Sequence, residues 1–198
     1  MDLITILLNH LSLSWSITET IAVIFSIIYV ILAAQKNIWC WFFAAISVML
    51  YIYICWNAKL YAETTLQIFY LFMAGFGYRN WKHTGKSFTI TEWSSKKHFS
   101  IIITGAICTF IIGFFFTMYS NAEMPIIDSF TTVFSIIATY MVAKKILGNW
   151  LYWIVIDITS IHLYFNRDLH LSSILFAIYT IIATYGYFSW IKKSRENG

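Results

Sequence analysis

The feature that most constrains this chain is a succession of apolar stretches separated by short polar clusters. Each is close to the roughly 20 residues an α-helix needs to cross the hydrocarbon of a bilayer. Cut at those clusters, the sequence contains seven candidate spans: residues 16–34, 38–56, 60–80, 98–119, 127–144, 149–166 and 170–191. Of the 198 residues, 60% are hydrophobic, 20% aromatic and only 11% charged, against about 25% charged in an average soluble domain. A soluble fold of this size cannot hide so much apolar surface. The expected class is therefore an all-α integral membrane protein with seven transmembrane helices.

The net charge of +4 does not indicate a nucleic-acid partner, because the thirteen Lys and Arg sit almost wholly in a few segments between the spans. Basic residues concentrate at Lys36, at Arg79 to Lys97, at Lys144 and Lys145, and in the tail at Lys192, Lys193 and Arg195, while the second connecting segment, Asn57 to Leu60, carries Lys59. The segment around Glu123 has no base, and residues 166–169 are near neutral. The positive-inside rule then places the first, third, fifth and last connecting segments in the cytoplasm, with the N-terminus outside and the C-terminus inside. Seven crossings satisfy that alternation. Residues 1–15 form an N-terminal extension, read as a short interfacial helix over 1–14, and the absence of Lys or Arg before Lys36 argues against a secretory leader. Cys40, Cys55 and Cys108 lie in apolar stretches without metal-ligand spacing, so they are expected to be packing residues.

Part of the chain recurs at a fixed displacement. Phe25-Ser26 returns as Phe134-Ser135, Lys36 as Lys145, Leu66 as Leu175, Tyr70 as Tyr179, Gly77 as Gly186 and Trp81 as Trp190, each 109 positions later. Matching Trp41 to Trp153 and Leu50-Tyr51 to Leu163-Tyr164 requires a small insertion within the middle helix. The organisation expected is two three-helix repeats, 16–81 and 127–191, separated by a basic cytoplasmic loop over 82–97 and a linking helix over 98–119, with a basic tail over 192–198. Three spans per half would invert the second half on direct fusion. The linking helix restores a parallel arrangement, a plan in which substrate is held near mid-membrane between the halves.

Ionisable groups at a bilayer centre are costly, so those that remain usually face a partner or a cavity. Asp157 lies mid-span, and Trp153 precedes it by one i,i+4 step, on the same helix face. An indole and a carboxylate side by side suit an organic cation with an aromatic ring; the alternative is that Asp157 bonds a neighbouring helix. Glu63, Gln67 and Tyr70 form a second stripe, in which Gln67 can both donate and accept. Against this, Glu63 can be interfacial and Gln67 an interhelical bond. Asp128 follows Pro125 at the start of the fifth span, where it can serve substrate or complement the helix dipole. Ser47, Thr159 and Ser160 can add hydroxyl contacts or pack helices. Tyr51, Tyr164 and Tyr179 are path or interfacial candidates, while His162 and His170 have no ligand partners at metal spacing. No P-loop, nucleophile elbow, HExxH or Rossmann pattern is present, so no enzyme, motor or cofactor is indicated.

The stretches from Leu60 through Glu63 and Gln67 to Tyr70, from Asp128 through Phe134, and from Lys144 through Trp153 to Asp157 resemble the Pnu family of bacterial vitamin transporters. The resemblance covers residues 16–192. It implies a SWEET-like 3+1+3 helix arrangement in the inner membrane and facilitated diffusion of nicotinamide riboside, trapped by intracellular phosphorylation. The implied partners are the cationic vitamin, the bilayer and, without direct contact, a cytoplasmic kinase; a homo-oligomer is allowed. The family's substrate pattern, Trp with a polar residue four positions on, falls on Trp153 and Asp157. Nicotinamide riboside (PnuC) members commonly carry Asn at the second position, and Asp157 resembles the thiamine (PnuT) branch instead. A reading of another class is a membrane receptor or scaffold that binds without flux.

Overall fold

A computed structural model describes residues 17–83, 89–120 and 123–196, so the expected helix at 1–14 lies outside the described residues. The described chain is helical: α1 Ile17–Ala34, α2 Cys40–Asn57, α3 Tyr61–His83, α4 Ser95–Tyr119, α5 Pro125–Ala143, α6 Asn149–Asn166 and α7 His170–Glu196. Five of these are long and apolar enough to cross a membrane by length and composition. The other two, α3 and α6, carry Glu63, Gln67 and Asp157, whose polarity lowers their mean hydropathy.

The sequence places the helix ends to within a few residues, except where basic residues were read as loop. α3 runs on through Lys82 to His83, and α7 through Lys193 and Arg195, because cations in a last turn complement the helix dipole. α4 starts at Ser95, inside the expected loop, with Lys96 and Lys97 in its first turn.

Four helix ends are reversed by non-glycine residues with positive φ: Lys36 (64°), Lys59 (59°), Lys145 (56°) and Asp168 (57°). After α1, the Asn37 amide donates to Leu32 and the Lys36 amide to Ala33; after α5, Ile146 donates to Met141 and Lys145 to Val142. The turns after α2 and α6 repeat the pattern, with Leu60 donating to Cys55 and Leu169 to Tyr164. These are Schellman closures, which usually place Gly at the left-handed position. All four fall in pairs 109 residues apart.

That spacing corrects the sequence alignment of the middle helices. Cys40–Asn57 and Asn149–Asn166 are themselves displaced by 109, with no insertion. Trp150, not Trp153, therefore stands where Trp41 stands. Trp41 packs edge-on against Trp81 at 5.5 Å and 86°, and Trp150 against Trp190 at 5.4 Å and 86°. Trp81 and Trp190 touch each other at 6.1 Å, completing a chain of four indoles.

This chain lies where α1 meets α7 and α3 meets α5. The Trp190 indole N–H donates to Ala33 O (3.2 Å) and Ser189 Oγ to Ala34 O (3.0 Å). Symmetrically placed, Trp81 donates to Val142 O (3.2 Å) and Asn80 to Ala143 O (2.7 Å). Ala34 O and Ala143 O at the ends of α1 and α5 are thus satisfied from the opposite group of helices, and Ala33 O and Val142 O, already bonded in the closing turns, accept a second bond from it. Lys36 Nζ adds bonds to Ser189 O (3.2 Å) and Oγ (2.7 Å).

The fourth helix packs on α5 along a stripe of small residues. Gly105 faces the Phe134 ring, Gly113 faces Ile126, and buried Thr109 lies between them. Close helix approach through small residues is the usual mode of packing in lipid.

The indole contacts depend on two glycines. A Cβ on Gly77 would meet Trp41 ring atoms at 2.3–2.5 Å, and one on Gly186 would meet Trp150 at 2.8 Å, whereas Gly75 has nothing within 4 Å. Gly77→Ala is expected to destabilise the protein by about 1–3 kcal/mol through overpacking. Gly75→Ala is expected to be neutral or stabilising by up to about 1 kcal/mol through helix propensity. Thermal unfolding in detergent of the two variants checks this; equal midpoints would remove the glycine argument.

Candidate functional site

The candidate site is built on α6, between the indole layer and the far end of the bundle. Asp157 is 2% exposed, and its carboxylate has no hydrogen bond or ion pair among the described residues. Trp153, one helical turn earlier, is half-buried and packs against both hydrophobic clusters of the bundle. In the corrected register their counterparts in the first group of helices are Ala44 and Val48. The ring and the acid are present on one side only.

Around this pair the helices contribute phenols. Tyr179 on α7 lies within electrostatic range of Asp157 and shares a hydrogen bond with Ser26 on α1. Tyr70 on α3 lies near Ser135 on α5. Tyr70 and Ser135 are each displaced by 109 from Tyr179 and Ser26, so the two helix groups bring a phenol to a serine at the same depth, with the Ser26–Tyr179 bond on one side. Tyr29 on α1 is in range of both Tyr70 and Tyr179 and packs on Trp41 at 6.0 Å. Tyr29 has Ala138 as its counterpart, another departure from symmetry.

Gln67 is half-buried on the face that continues to Tyr70, with no hydrogen-bond partner among the described residues. Its counterpart is Phe176, which stacks on Tyr164 at 5.2 Å and 13° and meets Tyr179 edge-on at 5.8 Å. Tyr51 is half-buried within range of Tyr179, Tyr164 and Glu19. The aromatic residues therefore continue from Tyr179 toward the end where α2 and α6 stop.

The remaining candidates are placed differently. Ser47 is buried and donates to Ala22 O at 2.9 Å, a bond that packs α2 on α1 and uses its only proton. Thr159 donates to Val155 O within α6. Glu63 is exposed at the start of α3. Asp128 makes no helix cap: Arg167 Nη1 and Nη2 bind its Oδ1 and Oδ2 at 3.1 and 2.6 Å. This hydrogen-bonded carboxylate holds the Arg167 guanidinium above its ordinary pKa. Asp128 is thereby set in a rim pair that fastens α5 to the turn between α6 and α7, apart from the Trp153–Asp157 pair.

Sequence reasoning did not select Ser26, Ser135, Tyr29 or Phe176 for the site. A signal existed for two of them, since Phe25-Ser26 and Phe134-Ser135 are the repeat itself. For Tyr29 and Phe176 no spacing marks them; proximity across helices does.

A family model described as nicotinamide mononucleotide transporter matches residues 16–192. The nicotinamide riboside transporter PnuC of Escherichia coli (strain K12) is 26% identical, over 94% of this chain and 89% of its own length. The protein of the same name from Neisseria mucosa is also 26% identical, over 90% of this chain and 73% of its own. A crystal structure of the vitamin B3 transporter PnuC matches with a TM-score of 0.74 at 22% identity, covering 91% of this chain and 83% of that one. The fold is shared with that structure.

The rim pair is accessible to a direct test. A double-mutant cycle on Asp128→Asn and Arg167→Gln, read by thermal unfolding, is expected to return a coupling energy of about 0.2–1 kcal/mol, the range of partly exposed ion pairs. The single variants are expected to leave ligand affinity within about twofold. A tenfold loss of affinity in Asp128→Asn would return that residue to the binding site.

Proposed function

The chain belongs to the nicotinamide mononucleotide transporter family, and on that premise we propose that it carries nicotinamide riboside across the bacterial cytoplasmic membrane. The relatives named above as nicotinamide riboside transporters align along nearly their whole length. It is a transporter and not an enzyme. Substrate runs down its gradient, and phosphorylation by a cytoplasmic kinase retains it inside. The seven helices cross the membrane as two parallel groups of three joined by α4, with the N-terminus outside. Support for that topology comes from the paired turns and cross-group bonds at a constant displacement and from basic residues at one end.

The observation that carries the substrate reading is Asp157, a buried acid with no hydrogen bond or ion pair among the described residues, one turn from a half-buried Trp. An unpaired carboxylate away from water is costly. A permanently cationic pyridinium supplies the missing countercharge while its ring stacks on Trp153. Gln67, with no hydrogen-bond partner among the described residues, suits the ribose hydroxyls or the carboxamide. The phenols of Tyr70 and Tyr179 stand on opposite sides of the path, and Tyr51 and Tyr164 lead to its outer mouth. At the inner end the four indoles are tightly packed, with Trp81, Trp150 and Trp190 all at most 5% exposed. Release to the cytoplasm requires that layer to part, and its bonds to the ends of α1 and α5 are the ones that must break.

Thiamine presents the same chemistry of a cationic aromatic ring, and the acid at position 157 is where this chain resembles the thiamine branch. It is therefore the proper competitor.

Purified protein in liposomes is expected to admit nicotinamide riboside without ATP, faster than empty vesicles; equal rates would overturn the transport reading. In a binding titration, Trp153→Ala is expected to lose about 1–2 kcal/mol, roughly tenfold in affinity. Asp157→Asn should weaken both cations but not uncharged nicotinamide. Unchanged affinities in both variants would move the pair to a packing role, and tighter binding of thiamine would transfer the substrate assignment to that vitamin.

A further inference from the structure

At the basic end of the bundle, away from Trp153 and Asp157, an open cleft of about 500 Å3 lies between residues 89–97 and the turn joining α5 to α6. Its walls are fixed by backbone bonds. The Thr91 amide donates to Lys145 O at 3.0 Å, and the Leu147 amide donates to Thr91 O at 2.9 Å. Three lysines line it, Lys97, Lys144 and Lys145, together with the rings of Trp93 and Tyr140, and no acidic side chain does among the described residues. Lys97 Nζ lies 4.1 Å from the centre of the Trp93 ring, and Lys144 Nζ lies 5.1 Å from that of Phe76. A ring face covers one side of an ammonium group, whose remaining N–H bonds can still donate to an anion.

A second observation points the same way. Lys97 belongs to the first turn of α4, which also holds Lys96 and no acid, and Ser94 makes no side-chain cap. The amides of a helix N-terminus attract negative charge, so two cations there oppose the dipole. A bound anion reconciles both. The volume falls within the roughly 300–1,000 Å3 typical of small-molecule sites and exceeds the need of bare phosphate. The two rings offer an aromatic base a surface that phosphate alone would not use.

We propose that this cleft binds a soluble nucleoside monophosphate, its phosphate held by Lys97 and Lys144 and its base against Trp93 and Tyr140. The phosphate chemistry is shared with anionic lipid headgroups, and the experiment separates the two sources.

Full-length protein in uncharged detergent is titrated calorimetrically with nicotinamide mononucleotide, adenosine monophosphate and inorganic phosphate. At least one nucleotide is expected to bind saturably and more tightly than phosphate. The double variant Lys97→Gln, Lys144→Gln is expected to lose at least tenfold of that affinity while keeping its melting temperature and its affinity for nicotinamide riboside. Excess nicotinamide riboside should not compete, which keeps this site distinct from the transport site whatever the transported vitamin proves to be. Absence of saturable nucleotide binding, equal affinity in the variant, or full competition by nicotinamide riboside would each overturn the proposal. So would lysine-dependent enrichment of phosphatidylglycerol in nanodiscs with nucleotides silent, an outcome that assigns the lysines to lipid.

Discussion

The rest of the bundle depends on the chain of four indoles from Trp41 through Trp81 and Trp190 to Trp150. In lipid there is little hydrophobic gain from bringing helices together, so association rests on close packing and on hydrogen bonds. The indole layer supplies both. Its three ring contacts each contribute about 0.5–1.5 kcal/mol beyond burial. The two central rings also spend their N–H groups on carbonyls at the ends of α1 and α5. Gly77 and Gly186 are required because the outer rings lie where a Cβ would be. Because each central Trp donates to the opposite group of helices, the same layer that seals one end also holds the two groups in register.

On that symmetric frame the chemistry is asymmetric. The Ser26–Tyr179 and Ser135–Tyr70 positions match across the groups, yet Asp157 answers to Val48, Trp153 to Ala44, Gln67 to Phe176 and Tyr29 to Ala138. A path between two equivalent halves has no intrinsic preference for one orientation of a ligand. In the proposed path, the acid on α6 and the amide on α3 supply that preference.

Much of this was legible before any coordinates, for a physical reason. Apolar length marks the helices wherever the membrane is the solvent, although the basic clusters read as loop belong partly to helix ends, and the displacement of 109 was visible in Phe-Ser, Tyr, Gly and Trp. The middle helix went out of register because Trp153 was matched to Trp41 by residue type. Turn geometry decides the matter, and the positive-φ positions are held by Lys36, Lys59, Lys145 and Asp168, residues that carry no left-handed signature in a sequence. Asp128 does stand in the first turn of α5, but its counter-ion, Arg167, is 39 positions away. Of the two roles open to Ser47, helix packing is the one its bond to Ala22 O on another helix fits. For these two residues the deciding element is a long-range partner, which local pattern does not encode.

The two ends of the bundle also differ in how they are held. At the rim, the Asp128–Arg167 pair is partly exposed, and screening keeps such a contact weak. At the basic end, cross-group bonds to backbone carbonyls sit beside buried indoles, and burial pushes the Lys145 ammonium below its ordinary pKa. A bond in a water-poor layer is stronger, and leaving its partners unpaired costs more. The rim is therefore the cheaper end to open, and the basic end is the barrier. In the proposed mechanism, a cation that neutralises Asp157 changes the charge between those two ends without touching either, and the energy it releases there is what is available to shift the balance between them.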